Sequence, residues 1–301
     1  MSAAGGQAGK ARGEGAVART LQVAIGLGRR SLTTTLGVVI LFAFFVLAVA
    51  APWIAPLDPV APDPDRILMA PSAERWFGTD INGMDVFSRV IHGARYAFLV
   101  AIPTVLLALL LGVPVGLVAG YRGGLVDDLL IRFTDTLRVF PSIILALAVV
   151  AALGPSILNV VLTLGVLDMA IYARLVRAEA LGLRASGFVE AARAAGNPPW
   201  RVMFLHVLPN ASQGALAQTA VRGAWAVRIG ATLAFLGVGV QPPTPEWGVM
   251  IRQGAEFMVS GQWWVGVYPG LALILLVLGL NLAGDGLQDL LDPRRKGAGR
   301  G

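Results

Sequence analysis

Apolar residues along the chain gather into six blocks, roughly Leu36–Ala55, Ala94–Ala119, Leu137–Leu153, Ile157–Tyr172, Gly214–Gly237 and Val265–Ala283. A helix that crosses a bilayer needs about 20 consecutive apolar residues. The third and fourth blocks are short for full spans. The Gly154-Pro155 pair between them reads as a tight turn at a membrane surface, so the two are expected to form an antiparallel helix pair. The pattern predicts an all-α polytopic membrane protein with six transmembrane helices.

Charge then orients these helices. Lys10, Arg12, Arg19, Arg29 and Arg30 precede the first block, against the single acid Glu14. Arg174, Arg177, Arg184, Arg193 and Arg201 lie between the fourth and fifth, and Arg294, Arg295, Lys296 and Arg300 follow the sixth. Basic residues concentrate in cytoplasmic segments, so these three are expected inside, together with both termini. The segment after the first block carries Asp58, Asp63, Asp65, Glu74, Asp80 and Asp85, and the one after the fifth carries Glu246 and Glu256 with only Arg252. Both are expected outside.

Composition agrees with a membrane solvent: 56% of the 301 residues are hydrophobic and 14% charged, with a mean hydropathy of +0.71. The formal charge of +6 can suggest nucleic acid. Its placement in three cytoplasmic segments instead points to membrane lipid as the partner and to no nucleic acid. Residues 1–30 are Gly, Ala and Arg with few large apolar side chains, and are expected to be a disordered cytoplasmic tail. Residues 294–301 form a second short tail. Ala48-Val49-Ala50 mimics a signal-peptidase site, but more than 30 residues precede the apolar run. An uncleaved anchor is the better reading.

The chain has no cysteine, which removes disulfides, thiolate catalysis and cysteine-bound metals. No G-x-x-x-x-G-K-[ST] loop occurs, so nothing cradles nucleotide phosphates in that manner. Any ATP must be bound by another chain. Ser260-Gly261-Gln262 resembles part of a transport-ATPase signature but sits in an outside segment beside Trp263 and Trp264, and is read as coincidence. His92 and His206 lack zinc-site spacing and read as interfacial polar residues. No metal, cofactor or catalytic residue is expected. Gly112, Gly116 and Gly120 follow the small-x-x-x-small spacing that lets helices approach closely.

The segment between blocks four and five is more distinctive. Glu190-Ala191-Ala192-Arg193-Ala194-Ala195-Gly196 leads into Asn197-Pro198-Pro199-Trp200, then a basic-apolar helix Arg201–Val207 stopped by Leu208-Pro209-Asn210. This predicts two short helices at the membrane surface, the first closed by Gly196. Ala191, Ala192 and Ala195 leave one side of that helix with little bulk, suited to another protein's groove. On periodicity alone, an ordinary surface loop is the plainer reading.

The E-A-A triplet, the Gly four residues after its second Ala and the Leu-Pro about twelve residues further on resemble the cytoplasmic loop of inner-membrane subunits of bacterial ABC importers. More closely, the chain resembles the second (C-type) permease subunit of dipeptide and oligopeptide importers. Supporting stretches are Phe77-Gly78-Thr79-Asp80 with Gly83-Met84-Asp85, Phe140-Pro141-Ser142, Tyr172-Ala173-Arg174, Phe235-Leu236-Gly237 through Pro245, and Asn281-Leu282-Ala283-Gly284-Asp285 closing on Asp292-Pro293-Arg294. The match runs over roughly residues 35–295.

The resemblance implies a division of labour. Two permease subunits, here expected as a heterodimer, form the pathway; two ATPase subunits dock below; a periplasmic or lipid-anchored binding protein delivers a peptide or similar polar solute. It implies that Glu190, Ala191, Ala192, Gly196 and Pro209 belong to an ATPase-coupling loop, residues 178–212, within a transmembrane domain of residues 94–293. Residues 31–93 then hold the first helix and an outside loop.

Departures from the family pattern mark what is individual. Met84 stands where Arg is common, which argues against a charge pair steadying the outside loop. Leu167-Asp168-Met169-Ala170-Ile171 replaces a segment that often holds Trp-Pro, and Gly230 stands where an acid is frequent, with Arg222 and Arg228 nearby. Charges at membrane depth are costly and face a pathway or a partner. Arg222 and Arg228 lie six residues apart, about 120° around a helix, so they are expected to have different partners, one of them Asp168. A self-contained secondary transporter would show repeated halves with broken helices, and an intramembrane enzyme would need more than the isolated acids Asp168 and Asp285.

Overall fold

The computed structural model describes residues 32–291. The expected tails, residues 1–30 and 294–301, and the Asp292-Pro293-Arg294 stretch lie outside them. The described residues are helical, with a single isolated β-bridge between Thr79 and Asp85. Among the described residues, four helices are long and apolar enough to cross a membrane: α1 (Leu32–Ile54), α2 (Val86–Arg122), α5 (Ile157–Leu183) and α12 (Trp264–Leu291). Between α2 and α5 come α3 (Gly124–Thr136) and α4 (Ser142–Leu153). After α5 come α6 (Gly187–Ala194), α7 (Pro199–Arg201), a π-helical segment Val202–Val207, α8 (Leu208–Ala211), α9 (Gln213–Ala217), α10 (Thr219–Phe235) and α11 (Trp247–Phe257).

Several boundaries differ from the apolar blocks for definable reasons. The third block was expected to begin at Leu137, but its helix starts at Ser142, because Pro141 cannot supply an interior amide. α3 precedes it, hidden from hydropathy by Asp127, Asp128, Arg132 and Asp135. The fourth block was drawn too short: α5 continues past Tyr172 through Arg174, Arg177 and Glu179. The fifth is divided at Gln218 into α9 and α10.

α2 and α5 pack along most of their length. A β-carbon at Gly112 would stand 2.4 Å from the Met169 carbonyl oxygen, one at Gly116 2.2 Å from that of Ala173, and one at Gly120 2.5 Å from that of Arg177. Glycine is required at all three because backbone meets backbone there. α1 lies against α12, where Gly37 meets Leu282 and Ala283. Large apolar side chains such as Phe42, Leu110 and Ile274 point outward. With hydrocarbon as solvent, an apolar exterior carries no penalty.

The loop of residues 55–85, expected outside, contradicts the expectation drawn from Met84. Arg89 and Asp80, 1% and 2% exposed, pair at 3.3 Å. Arg89 Nη1 also donates to the carbonyl oxygens of Pro59 at 2.8 Å and Pro243 at 3.1 Å. Asp80 Oδ1 accepts from the amides of Asn82 and Met84. The cation comes from the start of α2 rather than from position 84, so a local motif comparison misses it. Burial outweighs Arg89 and these amides and holds the Asp80 carboxyl above the usual carboxylate range. Glu246 caps α11, accepting from the Val249 amide at 2.9 Å, and burial pushes its carboxyl up to about 7.

Candidate coupling loop and pathway cavity

α6 is a short surface helix held from behind. Val189 is buried among Tyr172, Val176, Ala180 and Val207. Arg193 Nε donates to the Tyr121 hydroxyl at 3.3 Å and its guanidinium lies 5.2 Å from that ring's centre, tying α6 to the end of α2. Glu190, Ala191, Ala195 and Gly196 are exposed and Ala192 is half-buried, so the small-residue side faces outward. Gly196 adopts φ +80°, and a β-carbon there would meet nothing within 4 Å. The backbone conformation, not crowding, calls for glycine. The Asn197 side chain and backbone amide both donate to the Ala192 carbonyl, closing the turn.

Pro209 does not stop the chain as expected. Helical backbone runs from Pro199 to Ala211, and Pro209 sits at the start of α8. The preceding π-helical segment Val202–Val207, in which the Leu208 amide bonds five residues back to the Met203 carbonyl, gives a wider turn. That turn accommodates a ring which would clash in a regular helix. No local sequence signal announces it.

The second constellation lies where α4, α5 and α10 meet. Asp168 on α5 accepts two hydrogen bonds from Arg222 on α10, Nε to Oδ2 at 3.0 Å and Nη2 to Oδ1. The Arg222 guanidinium sits 4.7 Å from the Trp225 ring centre. A cavity of about 300 Å³ opens beside them, lined by Arg138, Phe140, Pro141, Ser142, Leu167 and Trp225 among others. Arg228 does not join: it is exposed and has no ion-pair partner among the described residues. Asp285 is exposed on α12, far in character from a paired buried acid.

Two further ties were not anticipated. Arg177 grips Asp127 at both oxygens, Nη2 to Oδ2 being 2.6 Å, and Arg174 Nε donates to Asp135 at 3.1 Å. Together they bind polar α3 along the C-terminal half of α5. Asp127 and Asp135, eight residues and so about 80° apart around the helix, fall on the same side of α3 and were the available signal. Arg138 was signalled only by being a charge beside Phe140-Pro141 at the edge of an apolar block.

A helical bundle with an apolar exterior, a tethered surface helix and a charged cavity has the architecture of a membrane transport component. The family description "Binding-protein-dependent transport system inner membrane component" matches residues 112–297. The chain belongs to that family. It is 40% identical over 268 residues to the dipeptide transport system permease protein DppC of Alkalihalophilus pseudofirmus, covering 89% of this chain and 88% of that protein. It is 39% identical over 259 residues to the glutathione transport system permease protein GsiD of Pectobacterium atrosepticum, covering 85% and 86%. Among solved structures, the inward-facing MetNI methionine ABC transporter superposes with a TM-score of 0.56 at 19% identity, over 68% of this chain and 96% of that one. That likeness concerns the fold. The protein is therefore a permease of the inner membrane and not itself an enzyme.

Proposed function

We propose that the chain forms one half of the translocation pathway of an ATP-driven importer for peptides or similar small polar solutes. A second permease subunit supplies the other half. Two ATPase subunits engage the loop around Glu190, Ala191, Ala192, Gly196 and Pro209, and a binding protein delivers solute from outside. The relatives named for dipeptide and glutathione transport support the solute class. The observation that carries the reading is the small-residue face of α6, exposed to a partner yet anchored through Val189 and Arg193 to α5 and α2. A push on α6 is thereby passed to the spans, the rigid coupling that alternating access needs.

Six crossings follow if α3 and α4 together make one broken span and α9 extends α10 into another. The basic segments then face the cytoplasm, and residues 31–93, 94–293 and 178–212 take the roles of first helix with outside loop, transmembrane domain and coupling loop. Asp168 and Arg222 then lie on the pathway or the subunit interface, and Arg228 faces lipid or a partner. The purified chain should hydrolyse no ATP by itself. Co-reconstituted with its ATPases, partner permease and binding protein, it should support ATP-dependent uptake of peptide into proteoliposomes. Appreciable ATP turnover by the chain alone, or uptake without the ATPases, contradicts the reading.

A further inference from the structure

The chain breaks between α3 and α4, and the break coincides with a cavity. Leu137, Arg138, Phe140, Pro141 and Ser142 all belong to the linker or the first residue of α4, and all line the 300 Å³ space. Irregular backbone at membrane depth is tolerated where it is buried in protein or lines a polar cavity. In transporters such interrupted helices accompany the solute site.

The charges in this cavity do not cancel. Arg222 is spent on Asp168 through two hydrogen bonds and is steadied over Trp225. Arg138 lines the same space as that carboxylate and forms no ion pair of its own among the described residues. One acid against two guanidinium groups leaves the cavity one positive charge in excess. Arg138 is exposed, and it lines a space bounded also by Phe140, Pro141, Leu167 and Trp225. The space is at the lower end of the range for small-molecule sites.

We propose that this cavity is a transit site for solutes bearing a carboxylate. Arg138 receives the carboxylate on its planar fork, which matches two oxygens at once. The Asp168–Arg222 pair fixes the opposite wall, and Phe140, Leu167 and Trp225 accept the apolar part of the solute. The site rests on the importer reading for its place in a transport cycle, but its charge preference can be measured independently.

The absence of native cysteine makes the test direct, because Ser142→Cys puts a unique thiol of this chain on the cavity wall. In the assembled transporter, its modification by methanethiosulfonate ethylsulfonate, an anion, is compared with that by the trimethylammonium reagent, a cation, using mass spectrometry of this chain. The anion-to-cation rate ratio should fall about tenfold in the Ser142→Cys, Arg138→Gln double variant, and be retained with Arg138→Lys. Taking a ratio cancels changes in access or folding. Dialanine should slow the anionic reagent more than dialanine amide does. A ratio indifferent to Arg138, a thiol inert to both reagents, or equal or absent protection by the two peptides overturns the proposal. If the ratio responds but the reconstituted transporter carries no peptide, the peptide reading fails and the anion preference stands. If peptide is carried while the ratio does not respond, the transit site fails alone.

Discussion

Asp168 and Arg222 meet in a two-point ion pair across 54 positions of sequence, with side chains 1% and 15% exposed. Removing one partner of such a pair leaves a buried charge, which costs about 3–5 kcal/mol. Asp168→Asn should therefore lower the thermal stability and membrane yield of the assembled transporter. The exchange Asp168→Arg with Arg222→Asp should recover part of the loss. If the single variant is as stable as wild type in detergent melts, the pair does not hold α5 to α10.

Glu246 makes stability depend on pH. Its folded-state value of about 7 stands above the ordinary 4.5, so the folded protein favours the neutral acid. The stabilisation is fully present below about pH 4.5 and is lost as pH rises through about 7. Asp80, also raised, acts in the same direction. Melting temperature should fall between about pH 5 and 8, and Glu246→Gln should flatten that slope while its amide oxygen still caps α11. An unchanged slope would remove Glu246 as the cause.

Close packing of α2 on α5 gives a contrast between two glycines. A side chain at Gly116 runs into the Ala173 carbonyl, whereas at Gly182 it meets nothing within 4 Å. Gly116→Val should cost more than about 2 kcal/mol, since backbone must move. Gly182→Ala, in the last turn of α5, should be neutral or stabilise by up to about 1 kcal/mol. Equal melting temperatures for the two variants would show that these helices do not meet closely at Gly116.

The glycine spacing on α2 was readable because a four-residue repeat is local, as was the turn at Gly196, where one residue follows a short Ala-rich helix. α3 was not readable: its acids Asp127 and Asp135 lower the local hydropathy, and what neutralises them, Arg177 and Arg174, lies on another helix. The same holds for Asp80, whose counter-charge Arg89 depends on how the loop of residues 55–85 folds back on α2. Pairing of Asp168 with one of two arginines followed from the cost of an unpaired charge at membrane depth, but the choice of Arg222 over Arg228 required the packing of α10. The cavity beside the pair depends on three helices at once and leaves no local trace.

The central claim is that the exposed face of α6 transmits ATPase motion to the spans. Glu190→Lys reverses a charge on that face, and Gly196→Asp forces a β-carbon into a φ of +80°, at about 1 kcal/mol or more. Neither change touches a membrane span. The decisive measurement is ATP-driven uptake by each variant alongside membrane abundance and co-purification of the ATPase subunits. Abundance should match wild type while co-purification and uptake fall about tenfold, the effect of losing about 1.4 kcal/mol of docking. Wild-type uptake in both variants would contradict the assignment of this loop.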